Sequence, residues 1–148
     1  MTNTELYETD FHAWTQETAR LLRERAHPAD CLDLTAVAEE IESVGGRDRR
    51  EVVNRLRVLI MHLLKWQFQP EYHSPGWRAT IKTQRRDLGD IFEQSPSLRG
   101  KLAEWIARAW NRAADEATGE MQLYRNPFPP ECPFTPEQIM DENWMPDA

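Results

Sequence analysis

The 148-residue chain is poor in cysteine and in long apolar runs, and each shortage excludes a class of protein. Its two cysteines, Cys31 and Cys132, form no Cys-x-x-Cys pair, so we expect two free thiols. The longest near-continuous apolar stretch, Val58 to Leu64, is interrupted by His62 and is far too short to span a bilayer. No charged-then-apolar leader opens the sequence, and we therefore expect a cytoplasmic protein.

Several sequence signatures of known chemistry are also missing. The chain has no Gly-rich phosphate loop and no serine nucleophile elbow. It has neither Glu-x-x-His nor His-Glu-x-x-His, the spacings that indicate a metal site most strongly. No cofactor is therefore expected. No segment alternates between apolar and polar residues, so no strand is predicted.

What the chain does have is the composition of an ordinary globular domain. Apolar residues make up 40% of it and charged residues 29%, which is not typical of disorder. Six tryptophans provide large pieces for a helical core or for a partner surface. The length predicts one domain over residues 1–148, with a helical bundle over 1–125 and a proline-rich strap over 126–148.

The charges divide the chain into three parts. Residues 1–46 carry a net charge of −7, residues 47–101 carry +6, and residues 102–148 carry −6. A basic middle between acidic ends indicates either pairing of helix faces or a binding surface. We expect Glu39 and Glu42 to meet Arg78 or Arg85, within one chain or across a dimer.

The first half of the sequence predicts three helices with 3.6-residue periodicity. Helix one spans about Asp10 to Arg25, with Thr9 or Asp10 as its N-cap. Helix two begins near Leu34 and is expected to end at Gly45 or Gly46 in a left-handed C-cap.

Helix three is expected to start at a capping box, Asp48 to Glu51, and to reach about Gln67. Its apolar residues cover more than half of its circumference, so it is predicted to be central.

The second half predicts two further long helices and an extended tail. Helix four opens at Ser74-Pro75, and helix five opens at Ser95-Pro96 or Ser97 with Gly119 as its C-cap. Proline is frequent from Asn126 onward, which indicates an extended segment, and a capping box at Thr135 predicts one last short helix. The predicted fold is an all-α bundle of about five helices with a proline-rich C-terminal tail and a short terminal helix.

Six short motifs and the tail are distinctive when taken together. They are Leu6-Tyr-Glu-Thr-Asp-Phe-His-Ala-Trp14, Ala38-Glu-Glu-Ile-Glu-Ser43, Leu56-Arg-Val-Leu, His62-Leu-Leu-Lys-Trp66, Trp77-Arg-Ala-Thr-Ile81, Ser95-Pro-Ser-Leu98 and the tail Phe128-Pro-Pro-Glu-Cys-Pro133. Jointly they resemble the bacterial family known as domain of unknown function 29. The resemblance implies a helical fold and no established activity, and it supplies no catalytic residues.

His62 is a candidate site residue because the helix around it is otherwise apolar. One interpretation is a half-buried histidine that donates to a carboxylate or a carbonyl. The alternative is a metal ligand or general base held by Glu39 or Glu42, with Arg78 completing a phosphate- or metal-dependent enzyme. Trp66, one turn beyond His62, is expected to be a core or helix-packing residue.

Helix four carries a second group of candidates, Arg78, Lys82, Arg85 and Arg86, beside Trp77. Basic residues next to an aromatic ring are typical of phosphate or single-strand binding. The sequence pI near 5.1 argues against a dedicated nucleic-acid protein, and pairing with acidic helix faces is the simpler interpretation.

Three functions therefore stay open at this point. The favoured one is a small cytoplasmic interaction or scaffold protein, with itself or another protein as its partner. The alternatives are the enzyme centred on Glu39, Glu42, His62 and Arg78, and the nucleic-acid module using residues 78–86. Nothing indicates a membrane partner.

Overall fold

A computed structural model describes residues 1–147, and within that range the chain has helices and no strand. The prediction of an all-α fold is therefore confirmed. No helix in these residues combines the length and the apolarity that crossing a bilayer requires. The helices are α1 (Asn3–Thr9), α2 (Phe11–Arg25), α3 (Leu34–Phe68), α4 (Pro75–Gln94), α5 (Pro96–Arg99), α6 (Leu102–Glu120) and α7 (Pro136–Met140), with a 3₁₀ turn at Pro70–Tyr72.

The chain forms two compact units. Unit 1 comprises Met1–Glu51 and Ile91–Gly100, and unit 2 comprises Val52–Asp90 together with the chain from Lys101 onward. Helices α3 and α4 each contribute one part to unit 1 and the other to unit 2. The strap belongs to unit 2, and a single domain over the whole chain stays a prediction.

Hydrogen bonds between the start of α2 and the start of α5 hold unit 1 together. Asp10, one of the two predicted caps, accepts from the Ala13 amide at 3.0 Å. Its carboxylate also accepts from the amide and the hydroxyl of Ser97, both at 2.8 Å. In return, the buried Ser95 hydroxyl accepts from the His12 amide at 3.0 Å. The two helix starts therefore satisfy each other's free amides.

The predicted helix end at Gly45 and Gly46 is wrong, because α3 runs unbroken from Leu34 to Phe68. Neither glycine has a positive φ. Gly45 serves a close approach of α2 instead, since an added Cβ would lie 2.4 Å from Thr15 Oγ1 and 3.3 Å from Thr15 Cβ. The glycine pair marks a helix crossing and not a turn.

The predicted capping box at Asp48 and Glu51 is wrong for the same reason, because both residues lie inside α3. Burial raises the pKa of Asp48, and the neighbouring Glu51 carboxylate raises it further. Aspartate stabilises a helix when it lies at the N-terminus. Inside α3 the charged form of Asp48 is disfavoured instead, which lowers the stability of the folded protein.

Unit 2 has the larger apolar core. The second half of α3 is apolar nearly all round, as predicted, and α4 and α6 supply the other walls. The central position predicted for this segment is confirmed by its burial. Side chains at most 4% exposed include Val52, Leu56, Leu59, Ile60, Leu63 and Leu64 of α3, Ile81 and Leu88 of α4, and Trp105, Ile106, Ala109, Trp110 and Ala113 of α6.

The predicted helix five is two helices. Helix α5 ends at Arg99, and α6 begins at Leu102 after a short break. Gly119 is not the C-cap, since α6 continues to Glu120. Gln122 takes the left-handed position with φ 56°, and the Leu123 amide returns to the Thr118 carbonyl at 3.0 Å. This is a Schellman ending with glutamine where glycine is usual.

The strap packs back onto unit 2 and does not extend freely. The Trp110 indole donates to the Pro129 carbonyl at 3.1 Å, and Phe134 is buried. The predicted capping box at Thr135 is confirmed, with Gln138 as its reciprocal partner. It starts α7, whose Ile139 is fully buried.

We predict opposite stability changes for two adjacent glycine substitutions in α3. Gly45→Ala should destabilise by about 1–3 kcal/mol, since the Thr15 side chain leaves no room. Gly46→Ala should stabilise by about 0.5–1 kcal/mol, since an added Cβ meets only the ends of Arg49 and Arg50 at 3.5 and 3.4 Å. Urea melts measure both. A gain for Gly45→Ala would contradict the close crossing, and Thr15→Ala should relieve part of the loss.

Gln122→Gly is expected to stabilise the protein by about 1 kcal/mol, because glycine adopts the left-handed conformation without steric cost. Gln122→Ala, which keeps the Cβ, is the control and should bring no gain. Thermal unfolding compares the two, and equal melting temperatures would contradict this account of the α6 ending.

Candidate functional site

Three aromatic rings and two cations meet where α3 ends and α4 begins in unit 2. We call Lys65, Trp66, His73, Trp77 and Arg78 the aromatic cluster. Lys65 and Trp66 lie in the last turn of α3, and Trp77 and Arg78 lie in the first turn of α4. His73 lies in the connection between these two helices. The Ser74 hydroxyl fixes the start of α4 by accepting from the Trp77 amide at 3.1 Å.

His73 is the centre of the aromatic cluster. Its ring stacks on Trp66 with centroids 3.5 Å apart and planes 16° apart, and it meets Trp77 edge-on at 6.5 Å. Its Nε2 lies 2.6 Å from the Trp66 carbonyl oxygen. Since a carbonyl can only accept, Nε2 carries the hydrogen. The connection is therefore tied to α3 by a stack and a hydrogen bond at once.

Both cations of the cluster lie against indole rings. Lys65 Nζ is 4.7 Å from the Trp77 ring centroid and also pairs with Glu120 at 2.6 Å. The Arg78 guanidinium lies 5.1 Å from the Trp66 ring centroid. Each such cation–π contact contributes about 0.5–1 kcal/mol at an exposed site. Trp66 thus contacts both Arg78 and His73, and the face of its ring that stacks on His73 is not open for stacking with a nucleobase.

Large apolar side chains are exposed beside this cluster. Phe68, at the end of α3, is 53% exposed, and Tyr72, in the 3₁₀ turn, is 62% exposed. Phe68 is braced from the strap by Phe128, whose ring meets it edge-on at 5.2 Å. We call Phe68 and Tyr72, with the aromatic cluster, the aromatic surface. Ring contacts hold Trp66, His73, Trp77 and Phe68 in place. Phe68, Tyr72 and His73 are exposed.

His62 fits the simpler of its two interpretations. It is half-buried, and its Nδ1 lies 2.8 Å from the Val58 carbonyl oxygen, so Nδ1 carries the hydrogen. The enzyme hypothesis required separate helices that bring Glu39 or Glu42 to His62. Because α3 is one helix, about five and a half turns of it separate Glu42 from His62. Among residues 1–147, no three histidine, cysteine or acidic side chains are grouped as metal ligands would be.

The acidic candidates have a local partner in unit 1. Glu42 pairs with Arg23 of α2 at 2.6 Å, and this hydrogen bond holds the pKa of Glu42 below its usual range. Glu39 is exposed one turn earlier. Glu42 thus already has a partner within unit 1, and its expected pairing with Arg78 or Arg85 stays a prediction.

Arg85 is a structural residue and not part of a basic surface. Its side chain is 3% exposed, and burial lowers its pKa. Nε donates to the Ile139 carbonyl at 2.7 Å, and Nη2 donates to the Gln138 carbonyl at 3.2 Å. Both carbonyls belong to the last turn of α7, and the Gln138 carbonyl also accepts from the Asp141 amide at 3.3 Å. Lys82 and Arg86, its neighbours on α4, are exposed.

The two thiols are free, as expected. Cys31 is exposed, and Cys132 lies partly buried in the strap. Burial raises the pKa of the Cys132 thiol, which favours the unreactive protonated form.

Sequence reasoning found Trp66, Trp77 and Arg78 and missed Lys65 and His73 as members of the same cluster. A signal was present. Trp66 and Trp77 flank a short connection bounded by Pro70 and Pro75. When two consecutive helices pack on each other, the connection between them brings its residues back toward the first helix.

The model of the family described as domain of unknown function DUF29 matches residues 6–145. The comparison with curated proteins finds no match. Among solved structures, the chain is similar to an α-helical protein of unknown function from Rhodospirillum rubrum. That similarity has a TM-score of 0.74 and 27% sequence identity, and it covers 93% of this chain and 90% of the other.

We predict that Arg85→Met destabilises the protein by about 2–4 kcal/mol, because it leaves two buried carbonyls without their charged donor. Arg86→Met is the matched control, and its exposed site should change stability by no more than about 0.5 kcal/mol. Urea melts measure both variants. An equal loss of unfolding free energy in the two variants would show that Arg85 does not hold α7 in place.

Proposed function

The chain belongs to the DUF29 family, and on that premise we propose that it is a small protein-interaction module whose contact surface is the aromatic surface. We place it in the bacterial cytoplasm, where two free thiols persist in the reduced form. A second copy and a different protein both satisfy this proposal.

The observation that carries the proposal is the exposure of Phe68 and Tyr72 beside the aromatic cluster, with Phe68 held by Phe128. Aromatic side chains and arginine are enriched in the contact regions of protein interfaces. Rings that are already fixed lose little side-chain entropy on binding, which favours affinity. The stack of Trp66 on His73 and the edge contact of Phe128 with Phe68 provide that fixation.

The charges around the surface also suit a protein partner. Lys65 is neutralised by Glu120, while Arg78 lies on Trp66 without a carboxylate partner among residues 1–147. An interface with aromatic anchors and an arginine at its edge is typical of recognition by a few dominant contacts.

The test is photo-cross-linking at Tyr72 with a benzophenone amino acid, in bacterial cells that produce the protein. We expect discrete cross-linked protein species from Tyr72. The matched control is the same cross-linker at Leu32, which is 65% exposed in unit 1 and should give no such species.

Phe68→Ala should weaken the captured complex by about 1–2 kcal/mol, because truncating an interface anchor removes buried aromatic area. Cross-linking of the purified protein alone separates self-association from a different partner. The same bands from Tyr72 and Leu32, or none from either, would contradict the proposal.

A further inference from the structure

One face of α4 carries three exposed cations at regular spacing. Arg78, Lys82 and Arg86 follow one another every four residues, and all three are exposed. We call them the basic stripe. Four residues advance an α-helix by little more than one turn, so the stripe runs along the helix for about 12 Å. Arg85, which lies between them in sequence, points inward to α7 and is not part of it.

The basic stripe has no carboxylate partner among residues 1–147, in contrast to other cations of unit 2. Arg55 pairs with Asp87, and Arg57 pairs with Glu116. Arg108 pairs with Glu104 of its own helix. Unit 2 therefore neutralises the cations of its part of α3 and Arg108 of α6, and it leaves the three cations of the basic stripe facing solvent.

The stripe has two different ends. Arg78 at its N-terminal end lies on Trp66 and so joins the stripe to the aromatic surface. Beyond Arg86, the next position on the same face is the exposed Asp90, whose negative charge ends the basic face. A bound segment would thus meet aromatic rings at one end, cations along its length and a carboxylate at the far end.

We propose that the basic stripe and the aromatic surface together bind an acidic, amphipathic segment of a partner protein. The inference rests on the proposed function and names the chemistry of its partner. Carboxylates spaced by about one helical turn on the partner would face Arg78, Lys82 and Arg86, and an apolar side chain next to them would contact Tyr72 and Phe68.

The geometry favours a protein segment over a nucleic acid. Single-strand binding relies on aromatic faces for base stacking beside the cations, and the indole that contacts the basic stripe, Trp66, already stacks on His73. The net charge of −7 also repels a long polyanion, while a short acidic segment interacts mainly with the local stripe.

The experiment measures binding of labelled helical peptides of about 16 residues by fluorescence anisotropy at low and high salt. The acidic probe carries leucine on one face and glutamate at four-residue spacing, and the neutral probe has glutamine in place of glutamate. We expect the acidic probe to bind about tenfold more tightly, with the difference shrinking as salt rises.

Charge reversal locates the site. Lys82→Glu with Arg86→Glu should remove the preference for the acidic probe and create one for a probe with lysine in place of glutamate. Arg99→Glu with Lys101→Glu, which changes the net charge equally at exposed residues that are not part of the stripe, is the matched control and should retain the original preference. Lys82→Gln with Arg86→Gln provides a second, milder variant, and circular dichroism checks that all variants stay helical.

Three results would overturn the inference. Equal binding of the acidic and neutral probes would show that the stripe selects nothing. Equal losses of affinity for the acidic probe in the stripe variant and the control variant would show that only the net charge of the protein attracts the probe. Stripe-dependent binding of oligothymidylate without binding of the acidic probe would assign the stripe to nucleic acid. If one of these results is obtained while Tyr72 still gives its cross-linked protein species, the proposed function stands and only this inference fails.

Discussion

The second half of α3 is apolar on nearly every side, and the rest of unit 2 follows from the need to cover it. A helix of this kind cannot face water, so α4 and α6 must pack along it. Polar residues on α3 are then confined to the margins, where Arg55 reaches Asp87 of α4 and Arg57 reaches Glu116 of α6. The apolar run stops near Leu64, and the aromatic cluster begins at the next residue. The candidate site thus lies where the core ends.

Much of the fold is readable from local patterns, because caps and helical periodicity act over a few residues. The Asp10 cap, the Ser74 start of α4 and the Thr135 capping box all occur as predicted. A further capping box, Thr2 with Glu5, starts α1, which the sequence analysis did not include. Its pattern was present in the sequence and was overlooked.

The wrong predictions concern helix ends, where a local sequence pattern is compatible with two structures and a long-range contact decides between them. A glycine pair is compatible with a C-cap and with a close helix crossing, and only the position of Thr15 selects the crossing at Gly45. The same ambiguity applies to Gly119, since α6 continues to Glu120 and Gln122 takes the left-handed conformation, at a cost that glycine would not have. Sequence spacing carries no information about which partner helix approaches.

The charges show the same limit at the candidate site. Basic residues on α4 were predicted as one group, and the structure gives them two physical roles. Arg85 faces inward, where the α7 carbonyls compensate part of the loss of its hydration. Arg78, Lys82 and Arg86 face outward, because their four-residue spacing carries them along one flank of the buried face of α4. Lys65 and His73 join Trp66 and Trp77 only because the connection folds back on α3, and that return is set by packing. Whether an arginine of α4 is structural or available for binding therefore depends on the side of the helix that it occupies relative to the core. That side is known only once the helices that cover α3 are in place.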